Sequence, residues 1–461
     1  MGSRARGAAS IFHPFALAPV GYSLSIFKAY DIRGVYPTEL NGEAAYAIGR
    51  AVAQLTSGGK VVVGRDMRLS SGVLHQQLIK GLREGGVDVA DMDLVTVDAV
   101  YFAVGSLGYE AGIMVTASHN PPEYNGFKVM RRNTEWVRGS QLKELVQVAS
   151  TAPLKRGGFS ELDIWPAYLE HVRSFVRLGT LKPLKVVVDA GNGMAGRAIP
   201  LLFSGLPFSF TPLFFELDGS FPNRPSNPLA PGASGAAGDK VREVGADVGI
   251  MFDGDTDRIF FLDEQGRLVP ADVTLLLLAK ESLHQNPGAA IAYNLICSRA
   301  VPEFIRAWGG QPIRTAVGYV NVSQALLEQG AVMGGELSAH YSFRANYSAD
   351  SGMIAALLVL ELLSREGKKL SDLVAELSPY AKAPEVNLTV ANQPAALATV
   401  KQAYPDAEID ELDGVTVSYP DWWVNVRPSN TEPLIRITVE AKSRELMEQK
   451  RDEVVKLIQH L

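Results

Sequence analysis

Short uninterrupted apolar runs alternate along this chain with longer stretches in which apolar residues recur every third or fourth position. Lys60–Val63, Lys185–Val188 and Ala290–Tyr293 carry the first pattern and read as buried strands. Leu74, Leu78 and Leu82 carry the second and share one face of a helix. Regular alternation of the two predicts an α/β architecture. Near Pro379–Pro384 the pattern changes. Val386–Val390, Val415–Tyr419 and Leu434–Glu440 then read as strands, with a last helix from Ser443. That is a smaller, separate α+β unit.

One device is used three times. Gly112–Val115 runs into Thr116-Ala117-Ser118-His119-Asn120-Pro121. Val248–Phe252 runs into Asp253-Gly254-Asp255-Thr256-Asp257-Arg258, and Ala331–Gly334 into Gly335-Glu336-Leu337-Ser338-Ala339-His340. Open α/β sheets place ligands at the carboxyl ends of their strands. Three repeated mixed α/β domains presenting one loop each to a shared cleft is the economical reading. The expected divisions are a flexible extension 1–24 and domains at 25–155, 156–263, 264–380 and 381–461.

Composition narrows the function classes. A chain of 461 residues is too long for one core. A net charge of −6 argues against a nucleic-acid partner, and no run of ~18 apolar residues suggests a membrane span. In the extension, Arg4 and Arg6 precede apolar residues that Pro14 and Pro19 interrupt, so the apolar core of a signal peptide is missing. A single cysteine, Cys297, allows no intrachain disulfide and no cysteine-based zinc site. It suits a reducing cytoplasm.

The acidic loop holds the sharpest chemistry. Asp253, Asp255 and Asp257 crowd three carboxylates behind a buried strand, and Arg258 closes the run. Such a cluster calls for a hard divalent cation such as Mg²⁺. Arg258 occupies the position where an EF-hand loop requires glycine, which excludes that match. Ser118 is a candidate nucleophile or phosphate carrier. Its neighbour His119, being adjacent, is not expected to face it as a hydrolase dyad would. Lys128 adds a cation downstream. In Glu336-Leu337-Ser338, an extended backbone would turn the carboxylate and hydroxyl to one side, a pair able to grip adjacent sugar hydroxyls. Arg427-Pro428-Ser429-Asn430-Thr431 offers the guanidinium and neutral donors that phosphate wants. Gly191-Asn192-Gly193-Met194-Ala195-Gly196 imitates a dinucleotide fingerprint, but Pro200 soon follows. A tight strand-to-helix turn is the better reading.

Together these loops resemble the α-D-phosphohexomutases, and most closely their bacterial phosphomannomutase branch. Phe27-Lys28-Ala29-Tyr30-Asp31-Ile32-Arg33-Gly34 and Val63-Gly64-Arg65-Asp66 look like the family's first motifs, and the later loops follow in the family's order. The resemblance implies a heart-shaped, four-domain enzyme around a central cleft. It would interconvert mannose 1- and 6-phosphates, with glucose phosphates as a second pair. The route runs through phosphoserine and a hexose 1,6-bisphosphate, which also serves as activator. It makes Ser118 the phosphoserine and, with Asp253, Asp255 and Asp257, the Mg²⁺ site. Arg33, Tyr30, His119, Lys128 and Arg258 would line the transfer site. Glu336 and Ser338 would hold sugar hydroxyls, with His340 beside them. Arg427, Ser429, Asn430 and Thr431 would hold the phosphate that is not reacting. His119, Lys128 and His340 remain alternatives for the general base. Ser338-Ala339-His340 matches a subset of phosphomannomutases and tilts the reading toward mannose. Ile296 and Tyr319 depart from the family's lysine and histidine, with Arg299 or Arg314 as substitutes. The alternative is a sugar-phosphate-binding relative with reduced catalysis.

Overall fold

The computed structural model describes residues 21–149, 154–429 and 434–459. Its first sheet runs in the order Ile32–Val35, Tyr124–Arg131, Ala111–Val115, Val61–Arg65, Val89–Leu94, Phe159–Glu161. The second runs Ile259–Leu262, Val248–Phe252, Leu184–Asp189, Phe208–Leu213, and the third Gln311–Thr315, Ala290–Asn294, Met333–Gly335, Tyr341–Phe343, Ala349–Asp350.

The repeat is visible in strand direction. Ala111–Val115 pairs parallel to Val61–Arg65 and antiparallel to Tyr124–Arg131. Val248–Phe252 stands in the same relation to Leu184–Asp189 and Ile259–Leu262. So does Met333–Gly335 to Ala290–Asn294 and Tyr341–Phe343. Each chemical loop therefore turns the chain from a parallel strand into an antiparallel one. All five residues of both Ala111–Val115 and Val248–Phe252 are buried, which is why they lack the polar alternation of a half-exposed strand.

Helices cover the sheets. Gly42–Leu55 and Ser71–Glu84 pack on each other, with Leu74, Leu78 and Leu82 buried. Apolar residues of the first three units, from Val62 through Val188 and Phe252 to Leu377, form one continuous core. The C-terminal unit has its own core around Val424, Ile437 and Val454. Its sheet is antiparallel, ordered Ala381–Lys382, Ile435–Ala441, Trp422–Pro428, Val415–Ser418, Glu408–Asp410. Gln393–Ala403 and Arg444–Ile458 pack together over it.

Two local readings change and a third holds. Phe159–Glu161 joins the edge of the first sheet, beyond the division expected at 155/156. Tyr22 lies in a second core of the first unit, with Ile26, Ile32 and Leu40, and Ser23 caps the turn Leu24–Ile26, so packing begins before Ser25. Residues 1–20 of the expected extension lie outside the described residues. The glycine-rich turn leads from Leu184–Asp189 into the short helix Ala195–Phe203, which contains Pro200. Gly191 has φ +52°, and a Cβ there would meet the Arg224 guanidinium at 2.5 Å. That turn needs glycine for packing.

Candidate active site

The loops of the first two units meet at Ser118. Its hydroxyl donates to Asp253 Oδ2 at 2.6 Å and lies 3.5 Å from Asp257 Oδ1. Backbone conformation makes this possible: Ser118 has φ +49°, a left-handed geometry that non-glycine residues seldom adopt. The same geometry overturns the expectation about its neighbour, because His119 Nδ1 lies 3.3 Å from Ser118 Oγ. Burial pushes the His119 pKa well down, and Arg258 and Arg33 push it further. Both effects favour the neutral imidazole beside the hydroxyl.

Asp253, Asp255 and Asp257 are buried, with carboxylate oxygens all within 4.8 Å of one another. Asp253 Oδ1 accepts from the amides of Thr256 and Arg258 at 3.1 and 3.3 Å. Asp255 Oδ2 accepts from Thr116 Oγ1 at 2.9 Å and from Lys128 Nζ at 3.0 Å. Lys128 also pairs with Asp257. Burial, then repulsion from Asp257 and Asp255, raises the Asp253 pKa well above the carboxylate range. Asp255 is raised by burial and Asp257. Burial would raise Asp257 too, but Lys128, His340 and Arg258 hold it low. Asp255 Oδ1 is buried with no hydrogen-bond partner among the described residues. Crowded hard donors, two of them reluctant to ionise, fit a divalent cation.

Around this centre stand the other expected residues. Arg33 donates to Asn120 Oδ1 at 2.6 Å and to the Ala117 carbonyl at 3.2 Å, and pairs with Asp31. Arg258 Nε donates to His340 Nε2 at 3.0 Å. His340 Nδ1, which then carries the proton, donates to Asp350 Oδ2 at 2.6 Å. The ring of Tyr319 stacks on His340 with centroids 5.6 Å apart, and it meets Trp136 edge-on at 5.0 Å. Tyr30 stands 6.3 Å from Tyr319. Burial, Asp413 and Glu336 raise its phenol pKa.

Glu336 and Ser338 do meet, with Ser338 Oγ donating to Glu336 Oε2 at 3.1 Å. A turn brings them together, not the extended segment expected: residues 337–338 form it and Ala339 has φ +65°. Glu336 Oε1 also accepts from the Gly318 amide at 2.7 Å and Asn294 Nδ2 at 3.2 Å. Arg427 is buried and pairs with Glu385 at 2.9 Å, leaving its Nε without a hydrogen-bond partner among the described residues. The Ser429 amide donates to the Leu434 carbonyl at 2.8 Å. Asn430 and Thr431 lie outside the described residues.

The suggested substitutes for the departures lie elsewhere. Arg299 donates to the carbonyls of Tyr419 and Pro420, at 2.9 and 3.1 Å. Arg314 pairs with Asp410. Both thus hold the C-terminal unit. Lys382, from the junction, reaches the Ile296 carbonyl at 2.6 Å and Asp272 at 2.8 Å. Sequence reasoning missed Asp350, Glu385 and Arg68. Asp350 reads as part of a helix start, beside the capping Ser351. Arg68 stands two residues past the Val63–Asp66 motif, the one signal that pointed to it.

A repeated α/β scaffold that joins a serine, an aspartate triad and an arginine-bearing C-terminal unit defines a multidomain protein built for anionic ligands and a cation. The comparisons make this specific. The four Phosphoglucomutase/phosphomannomutase domains match in order. Alpha/beta/alpha domains I, II and III cover residues 24–154, 166–266 and 270–380, and the C-terminal domain covers 385–457. The chain belongs to the phosphoglucomutase/phosphomannomutase family. It is 38% identical to a phosphomannomutase of Escherichia coli over 452 residues, 94% of this chain and 99% of the relative. It is 37% identical to the phosphomannomutase/phosphoglucomutase of Pseudomonas aeruginosa strain PAO1, over 92% and 93% of the two chains. A crystal structure of a family protein from Burkholderia thailandensis superposes with a TM-score of 0.86 at 35% identity, covering 94% of this chain and 98% of that one. Among the described residues no helix is long and apolar enough to cross a membrane.

Proposed function

We propose that this chain is a phosphohexose mutase that interconverts mannose 1-phosphate and mannose 6-phosphate, with the glucose phosphates as a second pair. The observation that carries the reading is Ser118 Oγ held 2.6 Å from Asp253 inside the aspartate triad. Asp253, Asp255, Asp257 and Ser118 would hold Mg²⁺, which supplies charge neutralisation on the transferring oxygens.

The chain's own residues do the rest. Phosphorylated Ser118 faces a hexose monophosphate. The free sugar hydroxyl forms a bond to phosphorus as the bond to Ser118 Oγ breaks. Its proton passes to neutral His119 and on to Ser118 Oγ, 3.3 Å away. Arg258 and Arg33 stabilise the charge in flight. Glu336, Ser338 and Tyr30 orient the sugar, with His340 held in place by Asp350 and Arg258. Arg427 and Ser429, joined by Asn430 and Thr431, grip the other phosphate. The hexose 1,6-bisphosphate turns round, and Ser118 recovers the second phosphoryl group. The same bisphosphate, supplied in trace, rephosphorylates Ser118 and so activates the enzyme. With its single cysteine buried, the protein is suited to the cytoplasm.

The test is an assay of mannose 1-phosphate with Mg²⁺ and catalytic glucose 1,6-bisphosphate. Intact mass verifies the phosphate on Ser118. Turnover that EDTA abolishes is expected. A phosphorylated enzyme that leaves mannose 1-phosphate unchanged refutes the reading.

A further inference from the structure

Ser118 is held from behind by groups that touch neither the triad carboxylates nor its own hydroxyl. Its carbonyl oxygen accepts from Arg68 Nη2 at 2.8 Å and from Ser226 Oγ at 2.9 Å. Arg68 comes from the first unit and Ser226 from the second. The Arg68 guanidinium also donates to the carbonyls of Asn120 at 2.7 Å, Pro121 at 2.8 Å and Tyr124 at 3.0 Å. Four carbonyls between Ser118 and Tyr124 thus converge on a single side chain that is 0% exposed. An arginine without a carboxylate would be costly there. Asp66 supplies one, 3.3 Å from Arg68 Nε, and is fixed in turn by the Arg68 amide and the Ser71 hydroxyl. Phe221 of the second unit lies under the guanidinium, 5.0 Å away. Gly254 lets the metal loop approach: a Cβ there would meet the Ser118 carbonyl at 2.8 Å.

The purpose is set by the backbone. At φ +49° Ser118 is in a conformation that a free loop leaves readily for the extended or right-handed regions. Either would turn the Ser118 peptide and carry Oγ away from Asp253. Hydrogen bonds to the carbonyl from two directions forbid that rotation. We propose that Arg68 and Ser226 are positioning residues for phosphoryl transfer: they lock the Ser118 peptide so that Oγ, or its phosphate, stays over the aspartate triad. Neither touches substrate. Because one donor comes from each unit, correct placement of Ser118 requires the two units to be packed together. This inference rests on the phosphoserine role proposed for Ser118.

Ser226→Ala and Arg68→Lys test it. Mutase kinetics and the spontaneous loss of phosphate from the resting enzyme, followed by intact mass, are measured alongside Ser118→Ala. Ser226→Ala removes one buried hydroxyl. It is expected to lower kcat about tenfold with KM within about twofold, the signature of a misplaced reacting atom rather than weakened binding. Phosphate loss should quicken, because a loosened loop admits water. Arg68→Lys keeps the charge but cannot reach four carbonyls, so its kcat should fall further. If Arg68→Lys does not fold, Ser226→Ala decides alone. Parental kcat and phosphate retention in Ser226→Ala, with Ser118→Ala inactive, overturns the clamp and leaves the mutase reading standing. Activity in Ser118→Ala equal to the parent's sinks both.

Discussion

The side where the first three units meet and the side where the fourth docks are built differently. On the first, the units share one apolar core and the contacts that place chemistry are buried. Arg68 and Asp66 are both 0% exposed. The Val97 amide donates to the Asp255 carbonyl, and the Met194 amide to that of Gly254. On the second, the C-terminal unit keeps its own core and docks largely through ion pairs and side chain-to-backbone bonds. Arg314 with Asp410 is one, and Arg299 with the Pro420 carbonyl another, the first partly and the second fully exposed. The Val317 amide adds a bond to Asp413. Even Arg427, the expected phosphate grip, is paired with Glu385. The lesson is a division of labour. The proposed transfer centre is preorganised by the fold, whereas the proposed grip consists of contacts that a substrate can exchange one for another. Such a docking face suits a unit that opens and closes.

Breaking the first side should cost most. Ser118→Ala removes the proposed phosphate carrier, and kcat is expected to fall at least about a thousandfold in the coupled mutase assay. Circular dichroism should match the parent, since the four-carbonyl clamp and the core do not use Oγ. Parental turnover would mean that the buried centre is not where phosphate is carried.

How far the sequence revealed this contrast depends on what made each residue visible. The three chemical strands were legible because buried parallel strands are apolar throughout, and the aspartate triad because carboxylates directly behind such a strand need a reason. The Ser118–His119 contact was not legible, since it depends on a positive φ that no residue type announces at serine. Glu336 and Ser338 were paired correctly but for the wrong geometry, because a turn and an extended run can bring the same residues together. Arg68 bonds carbonyls 50 to 56 residues away and Asp350 meets His340 across a turn of the sheet, and periodicity encodes neither contact. Arg427 and Arg314 both read as available to substrate. Glu385 falls beside Arg427 only once the fourth unit has folded, and Asp410 beside Arg314 only once that unit docks on the third.

A second test of the first side uses pH. Asp98, in the helix Val97–Leu107, accepts from Ser351 Oγ at 2.5 Å, joining the first unit to the third. Burial pushes its carboxyl from the ordinary 3.8 up to about 6, against the hydrogen bond from Ser351. The folded state therefore keeps this proton after the unfolded chain has released it. Its contribution is greatest below the ordinary carboxylate pKa and declines as pH rises to about 6, where both states are ionised. About 3 kcal/mol is at stake over that window. Asp98→Asn should remove this decline from the stability–pH profile measured by urea unfolding. An unchanged profile would show that the junction is less dry than its packing indicates.

On the second side, Arg427→Ala should raise KM for mannose 1-phosphate by about tenfold to a hundredfold, with a smaller change in kcat. A phosphate grip that binds substrate and transition state alike has that signature. Initial-rate kinetics over a range of substrate concentrations separate the two constants. A fall in kcat at constant KM would instead put Arg427 with the preorganised residues and blur the division.

The smallest effect discriminates most finely within the docking face. Arg314 and Asp410 form an ion pair whose side chains are 29% and 38% exposed, so it is worth no more than about 1 kcal/mol. Arg314→Ala should therefore change KM within about threefold, and by less at high salt, where exposed charges are screened. If Arg314 were instead a substrate ligand replacing the family's missing cation, its removal would raise KM as far as removal of Arg427 does. Salt would not erase that difference, because a ligand contact in a closed cleft is poorly screened. Matching KM values in Arg314→Ala and Arg427→Ala would thus turn the docking face into a binding face, and domain closure would carry substrate recognition as well as the exclusion of water.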